Sequence, residues 1–282
     1  MACKKILVYY LWRKVMYIKM EKKEKKQSFL SHLEALRWAF VRCSIGIIIC
    51  SAAAFIFSDF IFDEIIFAPK RGDFPTYRLL SYFNEAVYTV TNLDLDLQNR
   101  KMEGQLSILI WTCLSFGIIA AFPLILFEFW KFIRPALYKK ETKAGLIFLT
   151  SSTLLFFTGV LFGYYIIVPF SLKFLTEFSI STTIQNKFDL NSYFSLVRTT
   201  LLATGIVFNL PVIIYFLFRL NIVSTILLKE YRRYAYVIIL VASAVITPPD
   251  ILSQVVLVIP MFALYEVSIF LTKLGSVKPI IN

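Results

Sequence analysis

WKFIRPALYKKET, residues 130–142, is the stretch whose reading decides the fold. It opens on an aromatic and is crowded by Lys131, Arg134, Lys139, Lys140 and, just beyond, Lys143, between two apolar runs at 106–129 and 146–168. Each run is long enough to cross about 30 Å of hydrocarbon as a helix. An excess of Lys and Arg marks the side of a membrane that is not translocated. The stretch therefore reads as a cytoplasmic hairpin between two transmembrane helices. Glu141 is the only acid within it. On residue chemistry alone two readings stand: a solvated counter-ion among bases, or an acceptor for the cations of a basic peptide.

Composition points the same way. Of 282 residues, 58% are hydrophobic and 17% charged, with a mean hydropathy of +0.71, more apolar surface than a soluble domain hides. The formal charge of +12 comes mainly from residues 4–42 and from the short loops between apolar runs, a mark of membrane topology and not of nucleic-acid binding. Cys43, Cys50 and Cys113 lie in apolar runs, Cys3 sits by the terminus, and no CxxC spacing occurs. They read as packing residues. His32 is the single histidine, and GxSxG, P-loop and HExxH strings are absent. The chain thus reads as no enzyme, with no cofactor and no metal site.

Toward the C terminus, the run 146–168 carries Gly159 and Gly163 four apart, a small-residue stripe that allows close helix packing, and Pro169 is expected to terminate it. The fourth run, 194–218, holds Arg198 near its outer end and then GIVFNLP, with Asn209 and Pro211 near mid-span. An amide at that depth needs a partner in protein or trapped water. The loop 219–233 is again basic. Residues 235–247 then supply about 20 Å of helix, so the fifth span is expected to be unusually short. In TPPD, 247–250, Pro248 and Pro249 force a turn and Asp250 caps the next helix. The last run, 251–271, includes Gln254, Pro260 and Glu266, and Lys273 and Lys278 return the tail to the inner side.

Toward the N terminus, the run 106–129 carries Pro123, expected to kink it. The connection 59–105 is the longest polar one and lies outside on charge bias. Within it Leu79, Leu80, Phe83, Val87 and Val90 fall on one helical face, which predicts an amphipathic helix. The first span, 39–57, follows an interfacial helix in which Phe29, Leu33, Leu36 and Phe40 recur at helical spacing. Residues 1–27 read as a flexible basic extension, with Met20, ahead of EKKEKKQ, as an alternative start. The organisation is then an extension (1–27), an all-α membrane domain of six helices with both ends cytoplasmic (28–272) and a cytoplasmic tail (273–282).

Three strings in this order, HLEALR at 32–37, WKFIRPALYKKE at 130–141, and TPPDILSQ at 247–254 followed by IPM and YE, resemble the TatC family, the polytopic subunit of the twin-arginine protein translocase. The likeness runs from about His32 to Thr272. It implies a glove-shaped, concave bundle of six helices in the bacterial cytoplasmic (inner) membrane. Such a protein binds twin-arginine signal peptides of folded cargo and works with TatA and TatB type single-span subunits and further copies of itself. It nucleates a channel driven by the proton-motive force, without catalysis. By motif position Glu141 is the loop acid that meets the peptide's arginines, with Glu34, Leu36 and Arg37 in the N-terminal string. Asn209, Gln254 and Glu266 fall on a polar concave face or partner contact.

Two positions depart from the family pattern. Ala35 stands where the family has an acid directly before the Leu-Arg pair, and Glu34 lies one residue earlier, about 100° round the helix. Either Glu34 substitutes or Glu141 carries the guanidinium alone. Asn209 replaces an acid, keeping hydrogen bonding but not charge. The competing reading, a secondary transporter of a small solute, predicts midplane charges and an internal repeat, and no repeat relates the two halves. An intramembrane protease needs facing catalytic groups, whereas Asp250 lies at a span end and His32 before the first span.

Overall fold

The computed structural model describes residues 29–83, 96–134, 144–181, 186–220, 222–247 and 250–276. The extension 1–27, Val87, Val90, Glu141, Pro248, Pro249 and Lys278 lie outside the described residues. The chain parts into two units, Met1–Arg42 and Cys43–Asn282. The interfacial helix and first span expected separately form one element, α1 (Phe29–Ile56), because no Pro or Gly interrupts residues 29–45 to break the hydrogen-bond ladder. Its opening, residues 29–42, is the described part of the first unit.

Helical elements dominate the second unit. Beyond α1 the chain winds through short turns, Ser58–Phe60, a π-helical Ile61–Ile66 and a 3₁₀ turn Ala68–Lys70, into α2 (Pro75–Phe83). Irregular turns leave carbonyls that the helix ladder does not use, and three tyrosines supply donors to them. The Tyr164 hydroxyl donates to Ile65 O at 2.7 Å, that of Tyr193 to Ile66 O at 2.6 Å and that of Tyr77 to Pro69 O at 3.1 Å. On α2 itself the anchor is Tyr77. Tyr77 is buried while Leu79 is 63% exposed, since the Phe74 and Tyr77 rings, 6.0 Å apart, and the Tyr77 hydroxyl draw that side inward.

α3 (Gly104–Ile133) continues as one helix through the position of Pro123. Pro169 does not end the third span. α4 (Ala144–Phe162) passes into a π-helical turn, Gly163–Ile167, and α5 (Val168–Glu177) resumes with Pro169 in its first turn, where a missing N–H and a fixed φ are tolerated. A two-residue parallel pair, β1 (Leu97–Gln98) on β2 (Phe188–Asp189), precedes α6 (Leu190–Phe208). Asp189 caps α6, accepting from Ser192 N at 3.2 Å. α7 (Leu210–Arg219), a short α8 (Thr225–Glu230), α9 (Arg232–Ile246) and α10 (Ile251–Ser276) complete the described chain.

Among the described residues, five helices are long and apolar enough to cross a membrane: Leu33–Ile56, Gly104–Ile133, Ile147–Glu177, Leu190–Arg219 and Ile251–Gly275. α9, at 15 residues, reaches only about 22 Å. The third and fourth of these helices pack through the expected glycines. A Cβ on Gly159 would lie 2.6 Å from Thr204 O and 2.8 Å from Phe208 Cβ, and Gly163 faces the Thr204 hydroxyl. Gly205 answers from the other side, receiving the Phe156 ring, so small residues on both helices let the backbones close. A second apolar cluster, built on Leu257, Met261, Tyr265 and Ile269 of α10, packs with Ile239 of α9, Leu228 of α8 and Ile167.

Candidate functional site

Glu141 itself lies outside the described residues, but the structure shows what holds the two ends of its loop. Trp130, in the last turn of α3, lies over Gly145 at the start of α4, so closely that a Cβ there would run into the indole. One turn further along α4, the Phe148 ring sits 5.3 Å from Trp130, and Phe216 of α7 is 6.4 Å from Trp130 and 5.4 Å from Phe148. Lys131 and Arg134, entering the loop, are exposed. The family motif contains Trp130, yet its contact with Gly145 was not legible beforehand, since a glycine in an apolar run gives no hint of the ring it accommodates.

Asn209 sits at the break between α6 and α7. Pro211 has no N–H to offer the carbonyl four residues back, and the Asn209 N–H turns instead to Ile206 O at 3.1 Å. The side chain is buried and bonded to protein through both polar atoms: Nδ2 donates to Gly205 O at 3.0 Å, and Oδ1 accepts from the buried Ser152 hydroxyl of α4. The amide therefore has the partner its depth requires. Ser152 is a residue that sequence reasoning missed.

The hairpin of α9 and α10 carries the other polar groups. Gln254 is half-buried and its Nε2 donates to Leu240 O at 3.4 Å, a long bond. About 18 Å further along α10, Glu266 accepts from the Tyr236 hydroxyl and pairs with Arg232 at 2.5 Å, while Arg232 Nε donates to Tyr236 Oη at 2.8 Å. Arg232 and Tyr236 are thus partners that the sequence did not single out. The pair is 50% and 39% exposed on its two sides, so solvent screens it. Asp250 caps α10 as expected, with Oδ1 accepting from Ser253 N at 2.6 Å, and Ser171 Oγ donates to Ser253 Oγ at 2.8 Å. Asn209, Gln254 and Glu266 each bond elsewhere, and none of them bonds to another.

In α1, Glu34, Ala35 and Arg37 are exposed and Leu36 is half-buried. The family model for TatC, the Sec-independent protein translocase protein, matches residues 31–260. The chain belongs to the TatC family. The TatC of Blattabacterium sp. subsp. Periplaneta americana (strain BPLAN) is 38% identical over 265 residues, 92% of this chain and 100% of that one. That of Aquifex aeolicus (strain VF5) is 35% identical over 248 residues, 88% and 95% of the two chains. A crystal structure of the twin arginine translocase receptor TatC in DDM superimposes with a TM-score of 0.70 at 34% identity, over 86% of this chain and 99% of that one. The TatC match takes in HLEALR, the basic hairpin and TPPD. The chain is an all-α, polytopic membrane protein and a non-enzymatic component of the Sec-independent translocase, which sets aside the solute-transporter and protease readings.

Proposed function

We propose that this chain is the signal-peptide receptor of its translocase, and that Glu141 accepts a guanidinium of the peptide's paired arginines. One observation carries the reading: in a hairpin dense with Lys and Arg, the single acid falls at the family's acidic position, on a loop whose ends are pinned by Trp130 packed on Gly145. Arg-carboxylate pairs are charge-assisted, directional and spoiled when Lys replaces Arg. Glu34, Leu36 and Arg37 are the further signal-peptide contacts of this reading, and Glu34 either substitutes for the acid missing at Ala35 or leaves the guanidinium to Glu141 alone. Gln254 and Glu266 belong to a polar concave face that meets partners, whereas Asn209, buried and bonded to Gly205 and Ser152 within the bundle, does not.

The same proposal includes six crossings in a glove-shaped bundle, with α9 as a short fifth crossing and both termini on the cytoplasmic side of a bacterial inner membrane. TatA and TatB type subunits and further TatC copies complete the channel, and the proton-motive force drives it. Support comes from the basic character of the inner loops and from the family. Binding of a fluorescent twin-arginine peptide to the purified chain in nanodiscs tests the reading. Glu141→Gln is expected to weaken it by about tenfold or more, to the level of a peptide carrying paired lysines. Unchanged binding would refute it.

A further inference from the structure

We propose that Arg198 of α6 binds the phosphodiester of a membrane-lipid headgroup, in the leaflet on the side of the α6 N terminus, which is the outer one in the topology above. This site is separate from the hairpin and from its signal-peptide role. Nη1 of the guanidinium is buried and has no hydrogen-bond partner, and none of the ion pairs among the described residues includes Arg198. A charge within a span is kept only where something answers it. Arg198 and Gly205 share one face of α6, and against Gly205 lies the Phe156 ring, which stacks on Phe122 of α3 at 3.5 Å. Ile108 and Ile119 of α3 join Phe194, Val197 and Leu201 of α6 in one apolar cluster. Arg198 thus stands at the seam of α3 and α6. Thr112, on the same stripe of α3 as Ile108 and Ile119, is fully buried and its hydroxyl also lacks a partner, so the seam gives the guanidinium no acceptor.

Two gauges set its depth. Between Arg198 and Arg219 the sequence holds no charged residue, and the rise from one to the other is about 31 Å, close to the hydrocarbon thickness of about 30 Å. On α3, Trp111 and Trp130 stand about 28 Å apart along the axis, and tryptophans gather at the two membrane–water interfaces. Trp111 is 53% exposed. Phe122 and Gly205, both against Phe156, mark a common level, from which Arg198 lies about 10 Å and Trp111 about 16 Å nearer the N-terminal ends. A helical side chain leans toward the N terminus, which carries the guanidinium up to the level of Trp111 while its stem stays among apolar groups. Of the acids in the turns above, Glu64 is paired with Arg71 at 3.2 Å and Asp59 and Asp63 are exposed. Phosphate is the anion that a bilayer supplies at this depth, and its two free oxygens match the fork of a guanidinium.

The test uses the full chain in a maltoside detergent, whose headgroup carries no phosphate, and follows the thermal-unfolding midpoint as phosphatidylglycerol is added. The lipid is expected to raise the midpoint saturably, whereas diacylglycerol with the same chains, and glycerol phosphate without chains, leave it in place. Arg198→Gln is expected to weaken the apparent affinity for phosphatidylglycerol by about tenfold, and Arg100→Gln, at an exposed arginine outside the spans, to keep it. Arg198→Met, apolar and unbranched, is read alongside, so that failure of one variant to fold leaves the other to decide. No response in the parent, undiminished affinity in the Arg198 variants, or an equal loss in Arg100→Gln overturns the proposal. An equal response to diacylglycerol makes the effect one of chain burial, and a response to glycerol phosphate makes the site one for soluble anions; either also overturns it. If Arg198→Gln keeps its lipid affinity but no longer retains a TatA or TatB type subunit on purification, the guanidinium belongs to a partner's carboxylate instead.

Discussion

At Asn209 a single amide does two structural tasks, satisfying Gly205 O across the helix break and receiving the Ser152 hydroxyl from α4. Interhelical hydrogen bonds in membrane proteins couple by about 0.6 kcal/mol on average and up to about 1.7. A double-mutant cycle of Asn209→Ala and Ser152→Ala, read by thermal unfolding in detergent, is expected to return a coupling in that range, and zero coupling would mean the bond carries nothing. Tyr77 offers a pH test. Burial pushes its phenol above the ordinary value, so between about pH 10 and that higher value the unfolded chain has lost a proton that the folded chain keeps. Stability is then whole below about pH 10 and falls as pH rises. Tyr77→Phe should flatten that alkaline loss. The need of Asn209 for a partner was legible from its depth in an apolar run, but Ser152 was not, because a lone serine in such a run has no periodic signature. Tyr77 was hidden for another reason: its anchor is a hydroxyl on the carbonyls of irregular turns, whereas the apolar periodicity favoured Leu79, which is exposed.

Elements follow the same division between pattern and local geometry. The Gly159 and Gly163 stripe announced close packing, and α6 supplies Thr204, Phe208 and Gly205 to meet it. Gly159→Ala sets a methyl against the Thr204 carbonyl, a backbone atom with no rotamer to change, so a loss of about 1–3 kcal/mol is expected from chemical unfolding. An unaltered midpoint would show that the two helices can part without cost. Pro169 misled because a proline in an apolar run reads as a stop, whereas the π-helical turn at Gly163–Ile167 resets the ladder and turns it into a first-turn residue. The short helix before TPPD was legible from length alone, and the 15 residues of α9 agree with it. The ion pair between α9 and α10 was not, since Arg232 lies in a basic loop and reads as topology. Exchanging the charges, Arg232→Glu with Glu266→Arg, is expected to restore the melting temperature lost by either single change, with the difference shrinking at high salt.

For the whole molecule, the hydropathy pattern and loop charges were enough to reach an all-α polytopic protein, and three short strings were enough to reach its family. The structure adds how the hairpin's base is built, through Trp130, Gly145, Phe148 and Phe216, which no spacing rule reveals. The proposed topology places Lys140 in the cytoplasm: a cysteine there should be labelled by a membrane-impermeant maleimide only after cells are opened, and labelling from outside would reverse the orientation. The receptor role of the hairpin is tested by export of a folded twin-arginine reporter in cells that carry this chain with Glu141→Ala as their sole TatC-family protein. The reporter is expected to remain in the cytoplasm while the variant stays inserted and abundant, because a single acid that solvent and neighbouring bases screen adds little to stability. Export at the parental level would contradict that role and leave Glu141 a counter-ion.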